Sequence, residues 1–161
     1  MAFFAKVFVS LLVRLPRILK SFFDHGIWRL IRPFTQIPVE PLILGTSTWG
    51  FGDLQEDWDA FLGSLTKMNL TGKTIALFGL GDSSTYSDTF VDGMGIIYRA
   101  LLEKGCKFIG KVDRSNYSFD SSEAEIDGEL VGLALDEDSE SQKTSARLDE
   151  WLKAIKLDIE G

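Results

Sequence analysis

Leu42-Ile43-Leu44-Gly45-Thr46-Ser47-Thr48-Trp49-Gly50-Phe51-Gly52-Asp53 is an apolar run that halts at a glycine, passes through three hydroxyl-bearing residues and reaches a tryptophan. Leu42 to Leu44 have no polar face, as expected of a strand buried on both sides in a parallel sheet. The residues that follow form a loop at the carboxyl end of that strand, where open α/β sheets bind their ligands. Gly50 and Gly52 accept positive φ, so the backbone there can approach a flat ligand closely or flip a peptide. Trp49 sits past the strand end among turn-forming residues, which favours a ring covering a ligand over a core side chain.

At 161 residues the chain suits one domain with a proper core, and its 45% apolar and 25% charged content is ordinary for a globular protein. One cysteine, Cys106, excludes an internal disulfide and fits a reducing, cytoplasmic compartment. Lying in an apolar-leaning stretch, it reads as a small buried hydrophobe. With His25 as the sole histidine, no zinc cluster can be assembled, and no metal site is expected. The net charge of −7 is unevenly spread. Residues 1–40 carry six basic residues (Lys6, Arg14, Arg17, Lys20, Arg29, Arg32) against Asp24 and Glu40, a balance of +4 that leaves −11 for residues 41–161. An acidic body argues against nucleic acid and for basic protein partners met by electrostatic steering.

Residues 1–40 stand apart as an atypical basic amino-terminal segment. Their apolar uncharged stretch, Val7 to Val13, is far short of the ~20 residues of a membrane span. Basic, acid-poor and partly amphipathic, the segment has the composition of a targeting sequence or a membrane-surface helix, although Pro16 would break a single helix through it. From Leu42 onward the pattern is regular. Leu54, Trp58, Phe61, Leu62 and Leu65 mark an amphipathic helix with acids in its first turn. Thr74 to Leu80 reads as a second buried strand opening into Gly81-Asp82-Ser83-Ser84-Thr85-Tyr86. A helix from about Phe90 to Lys104 ends at Gly105. Strands follow at Lys107 to Val112 and Leu130 to Leu135, separated by the polar stretch Asp113 to Gly128, and a last helix runs from about Thr144 to Ile155. Strand and helix alternate, so the fold class is α/β: a parallel sheet with helices on both faces. Trp58 and Trp151 read as core residues of helical faces, and Asp136 to Asp138 as a solvated loop.

Thr46-Ser47-Thr48-Trp49-Gly50, Ala76 to Asp82, Tyr86 to Phe90 and Asp127 to Asp138 together resemble a flavodoxin. The resemblance covers about Leu42 to Ile155 within a flavodoxin-like domain at 41–161. The stretch Asp113 to Gly128 resembles the insertion of the long-chain subgroup. The resemblance implies a three-layer fold with a five-stranded parallel sheet, non-covalently bound FMN, and low-potential transfer of single electrons between redox proteins by a carrier that is not an enzyme. It implies redox partners with basic docking faces (ferredoxin-NADP-reductase-like or oxidoreductase proteins), a monomer, no nucleic acid and no membrane span. Carried over by position, Thr46, Ser47, Thr48, Trp49 and Gly50 match the loop on one face of the isoalloxazine. Leu80, Gly81, Asp82 and Tyr86 match the second loop, with Tyr86 on the opposite face. The polar neighbours of Tyr86 (Thr85, Ser87, Asp88) also argue against its burial. The resemblance further implies that Gly50 can flip its peptide and offer its carbonyl to the flavin N5 when that nitrogen carries a proton.

The first quarter departs from the family pattern. Flavodoxins open with a strand and a Thr/Ser-x-Thr-Gly-x-Thr loop that cradles the phosphate. Here Phe3 to Val9 can form the strand, but Ser10 to Leu15 offer one hydroxyl, and the next helix and strand have no counterpart. One explanation is a reading-frame shift. Joining the third base of each codon to the first two of the next lets Leu11 to Leu15 encode Ser-Thr-Gly-Lys-Thr. Two functions stay open: a working FMN carrier, or a degenerate relative that holds FMN poorly and acts, if at all, as a non-redox interaction module.

Charge-assisted bonds to a phosphate contribute about 1.5–3 kcal/mol each, and ~1.4 kcal/mol is a decade of affinity. The chain as written is therefore expected to bind riboflavin nearly as well as FMN. Parallel titrations of both flavins check this, and FMN bound far more tightly than riboflavin would reveal a phosphate site within residues 1–40.

Overall fold

The computed structural model describes residues 42–160. The expectations placed on residues 1–40, including a first strand at Phe3 to Val9 and an out-of-frame stretch, lie outside the described residues.

Strand β1 (Leu42–Trp49) lies parallel to β3 (Thr74–Leu80), in register from Leu42 opposite Ile75 to Ser47 opposite Leu80. Between them come the two-residue β2 (Asp53–Leu54), which folds back antiparallel on β1, and helix α1 (Glu56–Leu65). The other edge of β3 is shared. Its first half pairs in parallel with β4 (Lys107–Ile109) and its second half with β8 (Leu133–Leu135). Among the described residues the sheet thus has five strands, and all but β2 run in parallel.

The gap between β4 and β8 is filled by a small antiparallel sheet of β5 (Val112–Asp113), β7 (Glu129–Leu130) and β6 (Glu125–Ile126). The inserted stretch is present as expected, but the main sheet is left earlier and rejoined later than Asp113 and Gly128. Both shifts have a local cause. Gly110, at φ +74°, turns the chain off the sheet after Ile109, and its carbonyl accepts the Trp151 indole N–H at 2.6 Å. Gly132 lies so close to β3 that a Cβ there would be 2.1 Å from the Leu77 carbonyl oxygen, so the chain rejoins the main sheet only at Leu133.

Helix α2 (Asp92–Leu101) packs across β1 and β3, and helix α3 (Thr144–Glu160) against β8. The helix expected over 90–104 is shorter because Val91, at φ +54°, caps it, and a 3₁₀ turn (Leu102–Lys104) leads to Gly105 at φ +71°. The last helix runs past Ile155 to Glu160. Trp58 and Trp151 are buried as expected, each with its indole N–H on a backbone carbonyl; for Trp58 this is Gly45, at 3.0 Å. Cys106 is half-buried, with its thiol against the Leu101 carbonyl, and burial pushes that thiol up from its ordinary value.

Leu44, Ile75, Leu77, Met94, Ile97 and Leu101 form the centre of the core. Each fully buried aliphatic side chain contributes about 1.5–3 kcal/mol. Phe90, Tyr117 and Phe119 extend this core into the insertion, so the added segment is anchored by packing as well as by hydrogen bonds.

Gly132→Ala is expected to destabilise the fold by roughly 3 kcal/mol, the upper end for overpacking, because the obstructing atom is ladder backbone. Gly63→Ala, in exposed helix with nothing near its Cβ position, should stabilise by about 1 kcal/mol. Urea midpoints of the two variants check both signs.

Candidate functional site

The parallel ladder closes with Thr46 opposite Gly79 and Ser47 opposite Leu80, and β1 runs two residues further, to Trp49, against β2. The end of β1 and the loop after β3 carry the residues singled out from the sequence.

Gly45 to Trp49, expected in a loop past the end of the strand, are the last five residues of β1, because the antiparallel pairing of Thr48 and Trp49 with β2 carries the strand on; Thr46 is buried there and its hydroxyl donates to the Ser47 carbonyl at 3.1 Å. The Thr48 hydroxyl accepts the N–H of Gly93, in the first turn of α2, at 3.1 Å. The approach is close: a Cβ at position 93 would meet the Ser47 carbonyl oxygen at 3.3 Å. The chain then turns through Gly50-Phe51-Gly52, closed by a hydrogen bond from the Gly52 N–H to the Trp49 carbonyl, with Gly50 at φ +54° and Gly52 at φ +109°. Trp49 is 52% exposed and Phe51 88% exposed.

On the second loop, the Gly81 N–H donates to the Leu135 carbonyl, and the Tyr86 N–H to that of Asp82. One oxygen of Asp82 accepts the backbone N–H groups of Ser84 and Thr85, each at 3.0 Å, and the Ser139 hydroxyl at 3.2 Å. Hydrogen bonding led by the Thr85 hydroxyl holds this carboxyl below its ordinary value. The Asp82 carboxylate thus organises its own loop. Tyr86 is 43% exposed, and Phe51 meets it edge-on with ring centroids 6.4 Å apart.

The reading of Asp136 to Asp138 as a solvated loop needs correction. Asp136 is fully buried, and one of its oxygens accepts both the N–H (2.9 Å) and the O–H (2.6 Å) of Ser83. The other accepts the N–H groups of Asp138 and Ser139. The end of β8 is thereby tied to the second loop. Of the three, only Asp138 is exposed; Glu137 is half-buried and accepts from the Thr144 hydroxyl.

Asp92 was not singled out from the sequence. It is buried at the start of α2, where it accepts the Glu123 N–H at 2.7 Å; its other oxygen lies 2.8 Å from where a Gly52 Cβ would sit. Burial pushes its carboxyl up from 3.8, aided by the nearby Glu123 charge and opposed by the Glu123 N–H bond and by Arg99. Among the described residues, no group of three or more His, Cys, Asp or Glu can hold a metal ion.

Three exposed aromatic side chains, Trp49, Phe51 and Tyr86, thus stand at the end of β1, in the turn after it and in the loop after β3, while the hydroxyls of Thr46 and Thr48 and the carboxylate of Asp82 are engaged within the protein. The exposed rings stand near the exposed carboxylates of Asp53 and Asp88 in the sequence, and their flat surfaces suit a planar ligand.

The flavodoxin family model matches residues 29–151. The flavodoxin of Buchnera aphidicola subsp. Baizongia pistaciae is 44% identical over 120 residues, spanning 73% of this chain and 69% of that protein. Flavodoxin 2 of Escherichia coli strain K12 is 44% identical over 116 residues, 71% of this chain and 67% of its own length. The crystal structure of Fusobacterium nucleatum flavodoxin bound to flavin mononucleotide has a TM-score of 0.70 at 31% identity, covering 73% of this chain and 70% of that one.

Asp92 provides a pH test. A carboxyl whose value in the fold is raised lends stability that is complete below its unfolded value and is lost as pH rises through the folded one. Asp92→Asn keeps the acceptor for the Glu123 N–H and removes the ionisation. It should be more stable than the parent at neutral pH, with the difference closing as pH falls below about 4. Urea midpoints measured across that range check it.

Proposed function

We infer that this chain, which belongs to the flavodoxin family, is a low-potential carrier of single electrons on non-covalently bound FMN. The observation that carries this reading is the pair of exposed rings, Trp49 and Tyr86, at the carboxyl ends of adjacent parallel strands. When bound, FMN supplies the one-electron chemistry. The chain's own residues bind it and shape its surroundings.

Trp49 and Tyr86 cover the two faces of the isoalloxazine and exclude water from them. Each contact is worth about 1 kcal/mol beyond the area it buries. Gly50 already has positive φ, and only the Asp53 carboxylate lies near its Cβ position, so its peptide can turn the carbonyl toward the ring edge. Thr46, Ser47, Thr48, Leu80, Gly81 and Asp82 complete the two loops, with Asp82 acting through the turn it holds. Exposed carboxylates at Asp53, Asp88 and Asp120 disfavour additional negative charge on the ring system, which suits transfer of electrons one at a time. Ser10 to Leu15, the place of the family's phosphate loop in the sequence, lie outside the described residues. The protein is an electron carrier and not an enzyme: no step needs a general acid, a general base or a nucleophile.

Flavodoxins act with redox partner proteins. For this chain the docking faces of such partners are basic, matching the −11 balance of residues 41–161. Among the described residues, no helix is long and apolar enough to cross a membrane. A cytoplasmic monomer, with residues 1–40 as a separate basic segment, completes the reading. The family match and the likeness to an FMN-bound flavodoxin favour it over the non-redox interaction module.

The direct test is whether the purified protein is yellow, with flavin absorption bands that bleach in two one-electron stages on reduction; a colourless protein that takes up no added flavin overturns the proposal. Trp49→Ala and Tyr86→Ala are each expected to weaken flavin binding about fivefold to tenfold and to shift the one-electron potentials. Fluorescence titration and potentiometry check both. Electron transfer to a basic partner should slow as salt rises from 0.1 M to 1 M, where the Debye length falls from ~10 Å to ~3 Å. Stopped-flow rates across that range read the dependence.

A further inference from the structure

The turn that follows Trp49 lies against two carboxylates. A Cβ at Gly50 would be 3.1 Å from Oδ2 of Asp53, and a Cβ at Gly52 would be 2.8 Å from Oδ2 of Asp92. The two acids differ in their surroundings. Asp53, in β2, is exposed, whereas Asp92, in the first turn of α2, is buried. Oδ1 of Asp92 accepts the Glu123 N–H at 2.7 Å, so one oxygen anchors the carboxyl group while the other is pressed toward Gly52. The start of α2 is tied to β1 by the Gly93 N–H on the Thr48 hydroxyl, which keeps Asp92 against the turn.

The turn itself is lightly held. It is closed by the Gly52 N–H on the Trp49 carbonyl at 3.2 Å, its central residue Phe51 projects into solvent, and the strand that follows it is two residues long. A neutral Asp92 carboxyl fits against such a turn. An ionised one places a buried charge beside the Gly52 backbone, a cost that falls if the turn lifts and admits water. The charged groups around Asp92 are Glu123 of the insertion, paired with Arg99 of α2, then Asp53 of β2 and Asp88 of the 3₁₀ turn Ser87–Thr89; β1 contributes the hydroxyls of Thr46 and Thr48. Burial and the Glu123 charge oppose ionisation of Asp92, and the Glu123 N–H and Arg99 only partly offset them.

We propose that Asp92 is a proton-operated positioning residue: protonated, it seats the Gly50-Phe51-Gly52 turn, and ionised, it loosens that turn, so that presentation of the Trp49 ring and the Gly50 carbonyl to a flavin depends on pH. The proposal rests on the reading of Trp49 and Gly50 as flavin-facing residues. Asp92 acts through Gly52 and need not touch the flavin, and its proton is exchanged with solvent. The carboxyl value is raised in the seated state, so seating is complete below the ordinary carboxyl value near 4 and is lost as pH rises through the value in the fold.

The test compares the full parent chain with two variants. Asp92→Asn keeps an acceptor for the Glu123 N–H and cannot ionise; Glu123→Gln keeps that N–H and removes a charge that opposes ionisation. Amide hydrogen exchange at Gly52, corrected for its intrinsic rate, is followed from about pH 4 to about pH 8, with Leu77 in β3 as the control for the fold. Gly52 protection in the parent is expected to fall about fivefold as pH rises. In Asp92→Asn it should keep its low-pH level, and in Glu123→Gln it should fall at lower pH than in the parent. Riboflavin, which has no phosphate to titrate, should lose affinity by a similar factor in the parent and keep it in Asp92→Asn. The same pH dependence of Gly52 in the parent and Asp92→Asn overturns the proposal. If Asp92→Asn unfolds, as loss of Leu77 protection would show, an unshifted Glu123→Gln profile overturns it instead. Protection that follows Asp92 while riboflavin affinity does not overturns the positioning role. A parent that binds no riboflavin at any pH defeats the flavin reading and the positioning role with it, while the exchange profile separately shows whether Asp92 operates the turn.

Discussion

The parallel ladder between β1 and β3 is the constraint on which the rest of the site depends. Because Thr46 stands opposite Gly79 and Ser47 opposite Leu80, the carboxyl ends of β1 and β3 lie side by side, with β1 running on to Trp49. A slip of one residue would send every side chain of a strand to the other face and separate the two loops. Register is defended from both sides: Gly45 exists as glycine because a Cβ there would sit 2.0 Å from the ring of Phe78, its ladder partner, while the Gly45 carbonyl is taken by the Trp58 indole. A strand seam that close tolerates few alternatives.

On that base, the loops are built largely from short polar side chains satisfying nearby backbone. Asp82 folds the turn that follows it, Asp136 ties Ser83 to the end of β8, and Thr48 receives an N–H from the first turn of α2. Leaving a buried donor unmet costs about 1–3 kcal/mol, so each of these bonds matters more for the shape it enforces than for its net energy. Most of the side chains that look most polar in the sequence are thereby engaged inside the protein. Among the groups left exposed are the rings of Trp49, Phe51 and Tyr86, which suit a flat, redox-active ligand.

The inserted segment shows how an interruption of a strand can be absorbed. β4 and β8 occupy successive halves of one edge of β3, so the sheet continues although the chain has left it. The excursion is held by the positive φ of Gly110, by aromatic packing on Phe90 and by the row of serine hydroxyls over residues 87–90. Its electrostatics are local. Arg114 and Arg147 lie over the rings of Phe119 and Tyr117 and pair with Glu125 and Glu140.

The apolar runs at Leu42 and Thr74, the alternation with amphipathic segments and the motifs around Trp49 and Tyr86 were enough to establish the α/β order, the family and two loops as the candidate site. Those signals are local, because a run without a polar face and a glycine after a strand mean the same thing wherever they fold. Phe51 was legible in principle, being an apolar residue between two turn glycines with nowhere to be buried. Asp136 was not, because its partner Ser83 is 53 residues away and an acid between other acids reads as solvated until the end of β8 is brought against the second loop. Nor was Asp92, whose burial depends on the hairpin at Gly52 and the insertion at Glu123 closing over it. The same holds for the strand limits at Ile109 and Leu133, which were decided by how closely Gly110 and Gly132 approach Trp151 and Leu77. The sequence by itself determined the order of strands and helices; only the tertiary structure decided that β1 runs on to Trp49, which carboxylates are buried and what holds Tyr86, because these depend on contacts between separate segments of the chain.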